Sequence, residues 1–167
     1  MSEFKEIAAT EIEGNIIDRI ANEWMLITAG STASYNTMTA SWGFMGEMWG
    51  KHCTAVFLRP QRYTKEFVDR EGYYTLSFYG DNKDIHKVCG SKTGRTCDKP
   101  REAGLTPVFA DNSVYFEQAN MVIVCKKFYS DDIKEENFTD AEPLKWYPDK
   151  DYHQMYIGEI VKVLIKE

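Results

Sequence analysis

The strongest constraint in this sequence is a run of 23 residues without a charged side chain, from Trp24 to Gly46, in a chain that is 28% charged. Eleven residues of the run are Gly, Ser, Thr or Asn, whereas a membrane-spanning helix needs about 20 predominantly apolar residues. The run is therefore not a transmembrane helix. Two interpretations remain: a pair of half-buried strands with a Ser/Thr-rich turn, or a segment that lies against a neutral polar ligand or donates hydrogen bonds to an anion.

Length, charge and cysteine usage narrow the class of protein. A chain of this length fits one domain, which we expect to span residues 1–167. The net charge of −6 disfavours non-specific binding to nucleic acid, which needs a basic surface. The sequence contains four cysteines, Cys53, Cys89, Cys97 and Cys125. They form no CxxC pair, and the chain shows no apolar leader, so we expect a cytoplasmic protein rather than a secreted disulfide scaffold.

Motifs that would nominate a metal ion or a catalytic side chain are missing from the sequence. The three histidines, His52, His86 and His153, do not have the spacing of metal ligands, so we expect no metal site. No GxSxG or GxGxxG motif occurs, and the segment 90–95 does not match the GxxxxGK[ST] phosphate loop. The sequence therefore predicts no catalytic side chain.

Hydrophobic patterning predicts a mainly β chain with short helices. Strands are predicted at residues 24–29, 54–58, 73–79, 113–128 and 156–165. Helices are predicted at residues 15–21, 64–72 and from residue 82 onwards, with Asn15 and Thr64 as N-caps. Because polar and apolar side chains alternate over residues 73–79, we expect this strand to be buried on one face only. The elements do not alternate as regular βαβ units, which favours an antiparallel barrel with helical decoration.

Two basic clusters stand out in this acidic chain. Residues 83–101 contain six Lys or Arg and two Asp, a net charge of +4, which a solvated helix and loop would explain. The second cluster, residues 59–65, contains Arg59, Arg62 and Thr64 and directly follows an apolar strand. Arginine side chains, a threonine hydroxyl and the start of a helix are the usual parts of a phosphate site. We therefore expect residues 59–64 to bind a phosphate group.

These motifs together resemble a known family. Residues 36–42 read Asn-Thr-Met-Thr-Ala-Ser-Trp, and residues 59–64 read Arg-Pro-Gln-Arg-Tyr-Thr. In order and separation the two motifs resemble the flavin reductase-like family, which has the FMN-binding split-barrel fold. Residues 91–107 are similar to the family's SGR…DK…AGLTP loop, and residues 153–160 resemble its final strand. The resemblance covers nearly the whole chain.

The resemblance implies a six-stranded antiparallel Greek-key split barrel with short flanking helices, usually a homodimer that holds FMN near the subunit interface. The residues implied in cofactor binding are Asn36, Thr37, Met38, Thr39, Ala40, Ser41, Trp42, Arg59, Arg62, Tyr63, Thr64, Ser77, Lys92 and Arg95. Residues 36–42 would run along the flavin ring and the ribityl chain, which would account for their lack of charge. Residues 59–64 would hold the phosphate, and Lys92 and Arg95 could reach the same phosphate or that of a nicotinamide donor.

The residues and the resemblance leave three functions open. The first is an NAD(P)H-dependent flavin reductase, and the second is an FMN electron carrier of the flavoredoxin type that a protein partner reduces. The third is a non-enzymatic barrel that binds another phosphorylated ligand. The acidic segment 131–151 could dock a basic redox partner, although a solvated surface loop would have the same composition. We expect neither nucleic acid nor a membrane as a partner.

Overall fold

The structure is a computed structural model that describes residues 3–167, and its strands pair antiparallel throughout. The strands are β1 (Phe4–Ile7), β2 (Met25–Gly30), β3 (Tyr35–Ala40), β4 (Gly43–Met48), β5 (Lys51–Leu58), β6 (Tyr73–Phe78), β7 (Pro107–Ala110), β8 (Ser113–Phe116), β9 (Met121–Asp132) and β10 (Gln154–Lys166). The helices are α1 (Ile16–Asp18, continued by a π-helical turn at Arg19–Glu23), α2 (Tyr63–Arg70), α3 (Lys83–Ser91) and α4 (Lys99–Glu102). Short 3₁₀ turns lie at Ala9–Glu11, Glu135–Asn137 and Glu142–Trp146. The mainly β prediction is confirmed.

The main sheet has eight strands rather than six. Their order is β3-β2-β6-β9-β10-β5-β4, with β1 paired to β10, and β7 and β8 form a separate hairpin. The consecutive strands β5 and β6 are separated in the sheet by β9 and β10, as in a Greek key. The extra strands β1 and β4 show little of the hydrophobic alternation that predicts a strand. Strand β1 is short and charged, and β4 contains glycine and is largely exposed. Pairing with β10 and β5 makes them strands.

The larger hydrophobic core is lined by six strands, which is the number that the resemblance implies for the barrel. Its buried side chains come from β2, β3, β5, β6, β9 and β10. Helix α2 covers this core with Phe67 and Val68, which are 3% and 0% exposed, as the helical pattern predicts. Burial of each side chain contributes roughly 1.5–3 kcal/mol to the free energy of unfolding. The core therefore fixes α2, and with it residues 59–64, against the barrel.

Strand β6 is buried on both faces, so the expectation of a half-buried strand is wrong. Thr75 and Ser77, on its polar face, are both fully buried. A second core that includes Ile85 and Cys89 of α3 and Phe116 of β8 covers this face. The Thr75 hydroxyl keeps a partner there by donating to the Val114 carbonyl over 2.7 Å. Alternation along one strand cannot show that a later part of the chain will cover its polar face.

One of the two expected helix caps is confirmed. Asn15 Oδ1 accepts hydrogen bonds from the backbone N–H groups of Ile17 and Asp18, at 3.0 and 3.2 Å. Thr64, in contrast, is not an N-cap, because a turn at residues 59–62 places the cap two residues earlier, at Arg62. The Thr64 hydroxyl instead accepts a hydrogen bond from Asn36. None of the helices described between residues 3 and 167 is long and apolar enough to cross a membrane.

The close contact between Tyr74 of β6 and Gly158 of β10 generates a stability prediction. A Cβ added at Gly158, beside a register shift in β10, would lie 2.7 Å from the hydroxyl of fully buried Tyr74. Because Thr54 holds that hydroxyl at 2.8 Å, we expect Gly158→Ala to lower the free energy of unfolding by about 1–3 kcal/mol. Urea denaturation measures the change. Gly46→Ala is the matched control in β4, since an added Cβ there meets nothing within 4 Å. Equal stability of the two variants would contradict the packing described here.

Candidate functional site

A cavity of about 350 Å³ lies where β3 leaves the sheet, within the size range of small-molecule sites. Its lining residues are Met38, Thr39, Ala40, Ser41, Trp42, Phe57, Arg59, Arg62, Trp146 and His153. Seven of these ten residues are among those that the sequence nominates for cofactor binding. The structure therefore brings the two sequence motifs together around one cavity, although they are about 20 residues apart along the chain.

The two faces of β3 have different environments. Met38 is 4% exposed and packs in the barrel core, where it is paired in register with Ile27 of β2. Thr37 points to the other face, is fully buried, and has its hydroxyl 2.8 Å from that of Thr28. Thr39 is half-buried and lines the cavity. The uncharged run thus forms β2, β3 and most of β4, and β3 is buried over most of its length and reaches the cavity at its carboxyl end.

Arg62 and Lys99 form a pair of cations without a carboxylate partner in the described part of the chain. Lys99 is 2% exposed, and its Nζ donates to the Cys89 carbonyl at 3.2 Å. Burial, and then the neighbouring charge of Arg62, lowers the pKa of Lys99 to about 8. Burial also lowers the pKa of Arg62. Two desolvated like charges destabilise each other, and an anion bound between them would relieve that cost.

Neutral hydrogen-bonding groups surround this cation pair. Asn36 Nδ2 donates to Thr64 Oγ1 over 2.9 Å, and both side chains are buried. Gly94 approaches Asn36 so closely that an added Cβ would collide with the Asn36 amide. A second cavity, of about 310 Å³, is lined by Asn36, Gly94 and Lys99, whereas Arg62 lines the first cavity. The cation pair therefore lies between the two cavities, with amide, hydroxyl and glycine backbone groups nearby.

The remaining cations nominated by the sequence have carboxylate partners. Lys92 pairs with Glu102, and Arg95 pairs with Glu66 while its guanidinium lies 4.4 Å from the centre of the Tyr63 ring. These pairs are exposed, so each contributes little to stability and is readily exchanged for another anion. Ser77 is placed elsewhere: it lies on β6 in contact with the second core, and its hydroxyl has no partner among the described residues. The structure does not bring Ser77 to the cavity.

Residues 133–153 form a strap that covers one side of the cavity. Arg59 Nη1 pairs with Asp151 at 2.8 Å, and its Nη2 donates to the Trp146 carbonyl at 2.9 Å. Gln61 donates to the second oxygen of Asp151 at 2.8 Å. The motif predicts Arg59 beside a phosphate; in the folded chain its guanidinium anchors the strap. Anchoring places Trp146, in the middle of an acidic segment, beside the carboxyl end of β3.

The strap supplies an aromatic wall that sequence reasoning missed. The Trp42 ring lies 5.4 Å from Trp146 and 4.9 Å from His153, measured between ring centres. His153 is 7% exposed and its Nδ1 lies 2.7 Å from the Tyr147 hydroxyl. Burial, and then Arg59, lowers the pKa of His153 to about 4, so its ring is neutral at neutral pH. Together these side chains make one wall of the 350 Å³ cavity uncharged.

Lys99, Phe57, Trp146 and His153 belong to the site but were not among the nominated residues. Lys99 had a local signal, because it directly follows Asp98 in the loop that resembles the family pattern. Trp146 had none, since only the fold of the strap brings it to the cavity. Within residues 3–167, no group of three or more His, Cys, Asp or Glu side chains is arranged to hold a metal ion.

Comparison with known proteins agrees with this geometry. The model of the flavin reductase like domain matches residues 17–167. The chain belongs to the flavin reductase-like family. No curated protein shows significant similarity to its sequence.

Several solved structures share the fold of this flavin reductase-like chain. An FMN-binding domain of a flavin reductases-like enzyme from Shewanella baltica has a TM-score of 0.70 at 14% identity, over 99% of this chain and 78% of the other. Flavoredoxin of Desulfovibrio vulgaris has a TM-score of 0.67 at 24% identity, over 86% and 69%. The flavin reductase PheA2 has a TM-score of 0.62 at 13% identity, over 87% and 80%. At these identities the likeness shows the fold.

The residues of the site fit FMN, the cofactor that the sequence resemblance implies. A phosphate needs cations and hydrogen-bond donors, which Arg62, Lys99 and Asn36 can supply. A neutral planar ring needs an uncharged wall, which Trp42 and His153 provide. The unpaired cations at one end and the aromatic wall at the other match a ligand with a charged and a neutral end.

The cation pair generates a prediction for the protein without cofactor. We expect Lys99→Met to raise the free energy of unfolding by about 1–3 kcal/mol at pH 7, because it removes a buried charge. The folded pKa is about 8 against an ordinary 10.5, so the unfolded chain binds more protons between these values. The advantage of the variant should therefore shrink as the pH rises from 8 to 10.5. Urea denaturation across this pH range measures it.

Lys87→Met is the matched control for Lys99→Met. Lys87 lies exposed on α3, where it pairs with Asp84 at 2.8 Å. We expect this substitution to change the free energy of unfolding by less than about 0.5 kcal/mol. If Lys99→Met destabilised the protein, or behaved as Lys87→Met does, Lys99 would not be an uncompensated buried cation.

Proposed function

We propose that this chain binds FMN with the phosphate at Arg62 and Lys99 and the flavin ring in the cavity beside Trp42. The observation that carries the proposal is the cation pair: Lys99 is buried, Arg62 is half-buried and lines the cavity, and neither has a carboxylate partner among the described residues, so a bound anion would offset the cost of their desolvation. Membership of the flavin reductase-like family supports the same ligand. Asn36 and Thr64, joined by a 2.9 Å hydrogen bond, can supply neutral contacts beside the phosphate.

The chain's own residues bind and orient the cofactor and limit the access of water to it. Bound FMN supplies the redox chemistry, since a flavin accepts a hydride or takes up and releases electrons. Trp42 and Trp146, 38% and 52% exposed, form the wall between the cavity and solvent. Arg59 keeps that wall in place by holding the strap at Asp151. No side chain has to act as an acid or a base, which agrees with the lack of a catalytic motif.

We propose an NAD(P)H-dependent flavin reductase as the activity. A larger cavity, of about 740 Å³, shares Ser41, Trp42, Phe57 and Trp146 with the proposed flavin cavity. Its lining is almost entirely apolar, so a second planar ring such as a nicotinamide could stack there beside the flavin. The exposed Arg95 could exchange Glu66 for the phosphate of that donor.

An FMN electron carrier reduced by a protein partner is the second candidate. Segment 131–151 carries eight carboxylates against three lysines, which would suit a basic partner. All three lysines, however, already pair with carboxylates of the same segment, and Asp151 pairs with Arg59. Local pairing leaves four of the eight carboxylates without an ion pair, so this surface is less acidic than its composition implies.

We further propose that a second copy of the chain covers the larger cavity. Ile17 and Phe44, which line it, are 79% and 69% exposed, although large apolar side chains are usually buried. The cavity adjoins the proposed flavin site, so a dimer formed there would place the cofactor near the subunit interface. A homodimer is also what the sequence resemblance implies.

An anaerobic titration distinguishes the reductase from the carrier. The purified, FMN-loaded protein is mixed with NADH or NADPH under anaerobic conditions, and the flavin absorption band is followed. A reductase should lose that band when it is mixed with at least one of the two donors. Free FMN at the same concentration is the control. Retention of the band with both donors, followed by its loss with dithionite, would contradict the reductase and favour the carrier.

A further inference from the structure

A buried histidine, His86 of α3, lies directly behind the proposed flavin cavity. It is 3% exposed, and its Nδ1 is 2.9 Å from Oγ1 of Thr39, which lines the cavity. Its other ring nitrogen, Nε2, is buried and has no hydrogen-bond partner among the described residues. No sequence motif assigns His86 a role, and the proposed binding of FMN does not use it. A buried polar atom without a partner is costly, so this arrangement needs an explanation.

The His86 ring cannot turn freely. Trp24 and Tyr79 pack against it edge-on, with ring centres 5.7 and 6.1 Å away. One turn further along α3, an added Cβ at Gly90 would lie 3.3 Å from Cβ of Thr39, so the helix backs closely onto this residue. The imidazole and the Thr39 hydroxyl are therefore held in a fixed relation by the packing of α3 on β3.

The position of the single ring proton decides what Thr39 can do. Burial, and then the charge of Lys83, lowers the pKa of His86 to about 4, so the ring is neutral and carries one N–H at neutral pH. A proton on Nε2 would be a buried N–H without an acceptor, which is rarer in proteins than an unused acceptor. The proton therefore belongs on Nδ1, and Nδ1–H donates to Thr39 Oγ1.

This tautomer leaves the Thr39 hydroxyl proton to be donated elsewhere. Apart from the ring, the acceptor nearest to Oγ1 is the His86 carbonyl, at 3.5 Å, which is long for an O–H donor. We propose that His86 is a positioning residue that holds the Thr39 hydroxyl as a hydrogen-bond donor into the cavity, toward a carbonyl oxygen or ring nitrogen of the flavin. The acceptor in this inference is a flavin atom, so that part rests on the proposed binding of FMN. The tautomer of the His86 ring does not depend on it.

The tautomer is measured first, on the wild-type protein without cofactor. Long-range proton–nitrogen correlation spectra of ¹⁵N-histidine-labelled protein identify which nitrogen of each imidazole carries the proton. The His86 signals are those that disappear in His86→Asn. The expected result is a protonated Nδ1 and an unprotonated Nε2. A proton on Nε2 would overturn the proposal, whether or not the protein binds FMN.

Binding of FMN then tests the donor role. His86→Leu removes the Nδ1–H, whereas His86→Asn can place an amide N–H near the same position. We expect His86→Leu and Thr39→Val each to weaken FMN binding roughly 2- to 13-fold, the value of one neutral hydrogen bond, and His86→Asn to restore most of it. The double variant, His86→Leu with Thr39→Val, should bind about as weakly as either single variant. Fluorescence quenching gives the dissociation constants, and the position of the flavin absorption band reports contact with the ring.

The outcomes separate this inference from the proposed function. Additive losses in the double variant, or equal losses in His86→Leu and His86→Asn with an unshifted flavin band, would mean that His86 only supports the fold. If wild-type protein bound no FMN, the proposed function would be wrong, and the tautomer measurement would still decide the hydrogen bond between His86 and Thr39. If His86→Leu did not fold, Thr39→Val and the wild-type spectra would decide the question.

Discussion

The interaction on which this account depends is the electrostatic repulsion between Arg62 and Lys99. Lys99 is buried and Arg62 is half-buried, and burial lowers the pKa of each. The two cores hold them in place: the barrel core anchors α2, which follows Arg62, and the second core anchors α3, whose Cys89 carbonyl accepts a hydrogen bond from Lys99. A fold that brings two unpaired cations together in this way is prepared for an anion, and binding of that anion would return the energy that their burial costs.

The rest of the site follows from how the chain frames this pair. Strand β3 carries no charge, so it adds hydroxyl and backbone groups without competing for the anion. The strap places Trp146 and His153 beside Trp42 and so makes the other end of the cavity neutral and aromatic. The strap depends on Arg59, which is why two arginines of one sequence motif have different tasks: Arg59 has a carboxylate partner, and Arg62 has none among the residues that the structure describes. The site is thus polarised along its length, as a ligand with a charged end and a planar neutral end requires.

Sequence patterns predicted the class of fold and the two motifs that line the cavity, because alternation, caps and short motifs are local properties. Residues 73–79 show the limit of alternation, since α3 and β8 bury a face that looks solvent-exposed in the sequence. Thr64 shows the limit of cap rules, since a turn at residues 59–62 moves the helix cap two residues earlier, to Arg62. The ion pairs could not be predicted either, because nothing in the sequence tells Arg59 and Arg62 apart. The role proposed for Lys99 follows from its burial and its distance from any carboxylate, which only the folded chain determines.

The measurement that tests the central claim most directly is a calorimetric titration of the wild-type protein with FMN and with riboflavin, which lacks only the phosphate. Two charge-assisted contacts of about 1.5–3 kcal/mol each predict that FMN binds at least about 100-fold more tightly than riboflavin. The preference should weaken only modestly at high salt, because buried charges are screened much less than exposed ones. Equal affinities for the two ligands would contradict the account, because the phosphate would then gain nothing from Arg62 and Lys99.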